Sequence, residues 1–413
     1  MSKIDNKFTH VKYACYMTNI AMSVVANLAP LLFLTFHSLY GISYSLLGLL
    51  VLIGFSTQLG IDLIFSFFSH KFNIPLTVKI TPLLTVLGLL VFASSPLLEG
   101  NEYFGIVLGT VLFSLSGGLA EVLISPVIAA IPAKDPDREM SKLHSIYAWG
   151  VVFVVIFSTI FLLIVGKENW QWLPIIFAVV PICAFILFAG NKIPPMDTPE
   201  RVSGTFTFLK QRRLWACVFA IFLGGAAECT MAQWSSSYLE QALGIEKVWG
   251  DIFGVAMFGA MLGLGRTLYS KIGKNIHRVL LLGAVGATLC YFTAAISPIP
   301  VIGLLGCALT GFCTSMLWPG SLIVASERFP NGGVFIFAMM AAGGDLGASV
   351  GPQLVGIVTD FTITHPSLCE LAEKLNLTAE QLGMKFGLLI GMLFPLIAIF
   401  LYYSMKKKDK LYT

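Results

Sequence analysis

The sequence predicts an all-α polytopic membrane protein, with twelve transmembrane helices arranged as two six-helix bundles in a 6+6 pseudo-repeat. Three observations predict it. Of 413 residues, 56% are hydrophobic and 12% charged, about half the charged fraction of a soluble domain, and the mean hydropathy is +0.84. The apolar residues fall in stretches long enough to cross a hydrocarbon core about 30 Å thick. Short patches of the second half echo the first at a nearly constant offset.

The expected spans are 11–36, 44–68, 76–96, 102–131, 143–166, 170–190, 214–240, 247–270, 277–297, 299–328, 334–361 and 382–405. The stretch 277–328 is too long for one crossing and divides at Ser297-Pro298-Ile299-Pro300. Basic residues orient the chain. With the N-terminus inside, the outer segments hold only Lys167, Lys247, Lys374 and Lys385. Lys79 and Arg266 lie within spans, and the remaining 20 of the 26 Lys and Arg fall in inner segments. That asymmetry places both termini in the cytoplasm, as an even number of spans requires. The polar start runs into a long apolar span without a small-residue cleavage site, unlike a cleaved signal peptide.

Residues 191–213 carry Pro194, Pro195, Pro199, Gly204 and five basic residues. They read as a cytoplasmic linker between an N-terminal bundle, 1–190, and a C-terminal bundle, 214–413. The outer loop 362–384 contains a segment from Pro366 that suits a short surface helix. Eight scattered cysteines without a C-x-x-C pair read as small apolar packing residues. No phosphate-cradling loop, metal-ligand spacing or nucleophile motif is present in the sequence, so an ATPase or other enzyme is not expected.

Two echoes support the duplication. Gly118 and Pro126 in span four match Gly311 and Pro319 in span ten at the same spacing. Tyr40-Gly41-Ile42-Ser43 after span one echoes Leu243-Gly244-Ile245-Glu246 after span seven. Together they favour a duplicated six-helix unit of the parallel-repeat type.

Glu121 is the acid that stands out. At 1.5 Å per residue it lies roughly 16 Å from Pro132 and about 30 Å from Gly100, inside an otherwise apolar span. Ser114, Gly117, Gly118, Glu121 and Ser125 share one side of that helix. An acid so placed marks a substrate or proton path by default. Span seven repeats the theme with Glu228, followed by Gln233 and Trp234.

With twelve spans, a 6+6 duplication, a central basic loop and both ends inside, the chain resembles the major facilitator superfamily over its whole length. Within it, the acid of span four and the stretch Gly224-Gly225-Ala226-Ala227-Glu228 with Gln233 and Trp234 resemble the sugar-permease branch that contains the fucose–galactose–glucose:proton symporters. The chain departs from the superfamily's G-x-x-x-D-R-x-G-R-R loop between spans two and three, where it has Phe68-Ser69-His70-Lys71-Phe72-Asn73. The nearest acid there is Asp62. Gly265, Arg266, Lys271, Gly273 and Lys274, running from the end of span eight into the loop after it, are closer to that pattern, and span one carries Asn19 and Asn27 in place of the branch's Asp.

The resemblance implies that spans one, four, seven and ten line a central cavity. Asn19, Ser23 and Asn27 recur at helical spacing in span one, with Ser125 in span four, Gln233 and Trp234 in span seven, and Thr314 and Trp318 in span ten. Amides and hydroxyls beside aromatic faces suit a neutral polyhydroxyl ligand. The same residues also suit hydrogen bonding between packed helices. Glu121 and Glu228 are the proton-coupling candidates. Asp62, Arg266 and Asp345 lie in spans two, eight and eleven, which the resemblance makes the contact between halves, and read as gating or interface charges. Spans one, four, seven and ten carry no mid-membrane Lys or Arg, which argues against an acidic substrate.

The expected function is a secondary active transporter working by alternating access, moving a neutral sugar or related polar metabolite by proton-coupled symport. The alternative is a proton-coupled exporter of drugs or lipophilic cations. Against that alternative, this chain lacks the span-five G-x-x-x-G-P motif and the span-four Arg that the resemblance to the superfamily's drug antiporters would imply. No cofactor or metal is expected, only a proton or other ion gradient. The expected partners are a small solute and the bilayer, not nucleic acid, with the chain a monomer in the plasma membrane.

Overall fold

A computed structural model describes residues 8–68, 71–132, 136–195, 210–272, 275–329 and 333–409. Eleven helices among the described residues are long and apolar enough to cross a membrane, and the shorter apolar helix Trp149–Val165 accompanies them. The latter is the apolar part of span five, Pro136–Val165. Large apolar side chains such as Ile164, Leu282 and Phe400 are exposed, as lipid-facing positions require.

Several spans are interrupted where local chemistry dictates. Span one runs Thr9–Leu31 and resumes at Phe33–Tyr40, just past Pro30. Span six divides into Trp172–Phe177 and Val179–Ala189. Span eight opens with a π turn, Gly250–Ala256, before Met257–Ile272. Span ten breaks between Pro300–Thr314 and Leu317–Arg328. Spans two, three, four, seven, nine, eleven and twelve are Tyr44–Phe68, Ile74–Ala93, Glu102–Ala130, Arg212–Leu243, Ile276–Ile296, Gly333–Thr364 and Ala379–Asp409. The expected surface helix is present as Pro366–Lys374.

The sequence echoes coincide with equivalent structural roles. Gly41 and Gly244 both take left-handed backbone, at φ +63° and +64°, where a side chain would be strained. Each closes its helix with an amide bond back to His37 or Glu240, at 3.0 and 3.1 Å. Asn73 and Asn275 start spans three and nine by accepting from the Leu76 and Arg278 amides, at 3.2 and 3.1 Å. Such caps satisfy amides that the first helical turn leaves orphaned. A Cβ on Gly118 would stand 3.1 Å from Gln58 Cα in span two, and one on Gly311 3.1 Å from Phe258 Cα. Span four thus touches span two as span ten touches span eight.

The chain divides into two compact units, Met1–Leu32 with Ser56–Val202, and Phe33–Phe55 with Ser203–Thr413. The first has a core that includes Val11, Leu123, Val127 and Phe188. The second is built around Leu214, Ile221, Leu280, Leu317 and Tyr402. Span seven packs along span eleven in the second unit, and span three along span four in the first. The middle of the expected linker, 196–209, lies outside the described residues.

Candidate functional site

In the first unit, glycine sets the position of Glu121. With no side chains at Gly117 and Gly118, span two approaches span four closely. A Cβ at Gly117 would lie 2.7 Å from Gln58 Nε2, and one at Gly118 3.0 Å from Ile61 Cβ. One turn further along each helix stand Asp62 and Glu121, and carboxylate oxygens of the two lie within 4.8 Å. Asp62 is buried, whereas Glu121 is exposed and forms no ion pair with the described residues. The two carboxylates alone offer fewer oxygens than the six or more that calcium takes.

The span-one amides and hydroxyl are engaged with backbone. Asn19 is buried and donates from Nδ2 to the Leu143 carbonyl at 2.6 Å, tying span one to span five. Ser23 donates to Ile20 O at 2.6 Å, and its side chain is covered by Gly150, where a Cβ would lie 3.2 Å from Ser23 Cβ. Asn27, half-buried, donates to Ser23 O at 2.8 Å. The side chain of Ser125 lies outside the described residues.

In the second unit, Glu228 and Arg266 meet. Arg266 Nη2 donates to Glu228 Oε1 at 3.1 Å and to Oε2 at 3.3 Å. Its Nε donates to the Ser315 carbonyl at 3.1 Å. That carbonyl is available for a physical reason. Residue 319 is proline and has no N–H, so the helical bond from 319 back to 315 cannot form. Span ten breaks there, and the guanidinium takes the released acceptor. Gly265 allows the approach, since a Cβ on it would fall 2.7 Å from Ser315 Cβ.

Trp318 lies one turn beyond Ser315. Its ring occupies a notch made by two glycines. A Cβ on Gly225 would lie 2.9 Å from Trp318 Cζ3, and one on Gly344 2.6 Å from Cζ2 and Cζ3. Trp318 stays half-buried. By contrast Trp234 is fully buried against Phe33, at 5.1 Å between ring centroids, and donates Nε1–H to Pro352 O at 2.9 Å. Thr314 is buried and donates to Thr310 O at 2.9 Å. Gln233 and Asp345 are buried in this unit.

The structure thus places Asp62 beside Glu121 in one unit and Arg266 beside Glu228 in the other. Between Leu214 and Leu243 span seven supplies no base of its own, yet Arg266 brings one to Glu228 from span eight. The Ser315 carbonyl was not among the expected site groups, although Pro319 is its sequence signal. A buried network was also missed: Asp251, on the π turn, accepts from Ser236 Oγ and from Lys247 Nζ at 3.2 Å. Its Lys247-x-x-x-Asp251 spacing was readable, but a π turn has no simple sequence signature.

The family model of the Major Facilitator Superfamily matches residues 14–352. The chain belongs to that superfamily. As a member it is a membrane transporter and not an enzyme. No curated protein matches it by sequence. Among solved structures, this superfamily member resembles a D-xylose-proton symporter, with TM-score 0.75, 14% identity, and 96% of this chain and 97% of that one covered. It also resembles the nucleoside transporter NupG, with TM-score 0.71, 14% identity and coverage of 97% and 99%. The E. coli fucose:proton symporter FucP aligns with TM-score 0.59, 14% identity and coverage of 95% and 99%. At such identities these likenesses concern the fold.

Proposed function

We propose that this transporter carries a sugar or related small polar metabolite by proton-coupled symport, with Glu121 as a proton carrier. The observation that supports this most is Glu121 itself. It sits mid-helix in an apolar span, exposed, without a basic partner among the described residues, beside the buried Asp62. A carboxyl at membrane depth is costly unless it serves the transport path. An exposed one is free to exchange protons with whichever side its cavity faces. Trp318, its ring edge seated against Gly225 and Gly344 and its side chain half-buried, offers an aromatic surface for the C–H face of a sugar ring. The similar folds named for xylose and fucose symport are compatible with this reading.

The test is uptake into proteoliposomes containing the purified protein, with and without an inward proton gradient, over a panel of labelled sugars. Gradient-driven accumulation is expected for at least one sugar. Glu121→Gln should abolish accumulation while leaving counterflow exchange of the same solute. Accumulation by the Gln variant at the wild-type level would remove Glu121 from the mechanism.

A further inference from the structure

The second unit contains an ion pair that the sugar reading leaves without a role. Arg266 is held at two points, by the Ser315 carbonyl through Nε and by Glu228 through Nη2. Its third nitrogen, Nη1, makes no hydrogen bond with the described residues. The Arg266 side chain is 42% exposed and that of Glu228 15%. The edge formed by Nη1 and Nη2 is the fork that receives a carboxylate in two parallel bonds. Trp318 lies one turn from Ser315, against Gly225, itself one turn before Glu228.

Charge balance decides what such a fork suits. With Glu228 ionised, the pair is neutral and an incoming anion meets a carboxylate. When Glu228 takes a proton, the guanidinium loses its counter-charge at membrane depth, which is unfavourable. A solute anion replaces that counter-charge. Proton binding at Glu228 and anion binding at Arg266 therefore favour each other, and the coupling is reciprocal. A neutral sugar gains nothing from the proton. Among the described residues, Cys229 lies within electrostatic reach of Glu228, Arg266 and Asp345 of span eleven, and the Tyr291 hydroxyl of span nine donates to Ala227 O at 2.7 Å.

We propose that Glu228 and Arg266 form a site that binds a proton and a solute anion together, and that the transported solute is a hydroxylated monocarboxylate of the sugar-acid class. The proton moves from water to a Glu228 carboxylate oxygen. The Arg266 Nη2 bonds pass from Glu228 to the solute carboxylate, and no covalent bond other than O–H changes. The inference rests on the sugar-transport reading and narrows it.

The experiment uses full-length protein in proteoliposomes, with D-gluconate, D-galacturonate and D-galactose as probes, at pH 5.5 and 7.5. Wild type, Glu228→Gln, Arg266→Gln and Arg266→Lys are compared, each checked for monodispersity. Wild-type affinity for one of the acids should rise about tenfold on acidification, with galactose affinity flat. Arg266→Gln should lose roughly tenfold or more in acid affinity, and Arg266→Lys should recover part of it. Glu228→Gln should bind the acid equally at both pH values and fail to accumulate it. Galactose uptake without acid uptake would overturn this inference and leave sugar transport standing. Acid uptake undiminished in Arg266→Gln, or wild-type acid affinity independent of pH, would overturn the assignment to this pair. If no variant can be prepared, the wild-type pH comparison alone decides. Movement of none of the three probes by wild type would overturn this inference, and the labelled-sugar panel then decides the wider reading.

Discussion

The amide of Ser45 donates to Asp360 Oδ2 at 2.7 Å, and the neighbouring Tyr44 amide donates to Oδ1 at 3.2 Å. Ser43 Oγ accepts from the Leu46 amide at 3.3 Å. The start of span two is therefore capped by its own serine and by an aspartate of span eleven. Gly356, one turn before Asp360, permits the contact, because a Cβ there would stand 2.9 Å from the Tyr44 carbonyl carbon. A carboxylate at a helix N-terminus satisfies orphan amides and complements the helix dipole. Asp360→Ala is expected to cost about 1–2 kcal/mol, and Asp360→Asn, which keeps one acceptor, less. Thermal unfolding in detergent measures this. An Ala variant as stable as wild type would show that the cap contributes nothing.

Spans three and four lock through reciprocal notches. A Cβ on Gly88 would meet Phe113 at 2.5–2.9 Å, and one on Gly109 would meet Phe92 at 2.6 Å. The two rings pack at 5.6 Å between centroids. The obstructing atoms include backbone, so relief requires the helices to separate. Gly88→Ala and Gly109→Ala should each destabilise by about 1–3 kcal/mol, the usual range for overpacking. Gly60 lies in the span-two helix with nothing near its Cβ position. Gly60→Ala should therefore be neutral, or stabilise by up to about 1 kcal/mol through helix propensity. Equal melting temperatures for all three variants would refute the notch.

Much of this architecture was legible because hydropathy, charge asymmetry and glycine placement act locally along the chain. The echoes around Gly41 and Gly244 and around Gly118 and Gly311 read only as duplication, and in the structure they fall at two helix ends and at two equivalent helix crossings. Side-chain orientation was harder to read. Asn19, Ser23 and Asn27 are spaced as a polar stripe, but each donates to a nearby backbone carbonyl. Polarity in an apolar helix records a need for hydrogen bonds without saying whether protein or solute meets it. By position Arg266 read as a gating or interface charge. Only the three-dimensional path shows it reaching the carbonyl that Pro319 releases and the acid of a neighbouring span.

Trp318 provides a test of solute positioning apart from charge. Its ring is held by the absence of side chains at Gly225 and Gly344. Gly344→Ala would push Cβ into the ring edge and rotate it. Apparent solute affinity is expected to fall roughly tenfold, about 1.4 kcal/mol, with the maximal rate less affected. Trp318→Phe, which keeps an aromatic face but shortens it, should lose less than Trp318→Ala. An unchanged KM across all three would place the ring outside the solute path.

The Glu228–Arg266 pair also makes a prediction independent of any solute. Removing one partner leaves the other charge uncompensated, whereas removing both leaves a neutral polar pair. Glu228→Gln and Arg266→Gln should each lower stability, and the double variant should lose less than the sum of the two. Partial exposure of Arg266 allows water to soften the single losses, so a coupling of about 1–2 kcal/mol is expected, within the range for contacting residues. A thermodynamic cycle on denaturant or thermal unfolding of the four proteins measures it. High salt should shrink the coupling only modestly, because a partly buried pair is screened less than a surface one. Strict additivity would mean that the 3.1 Å contact carries no net energy, and that Arg266 is held by the Ser315 carbonyl alone.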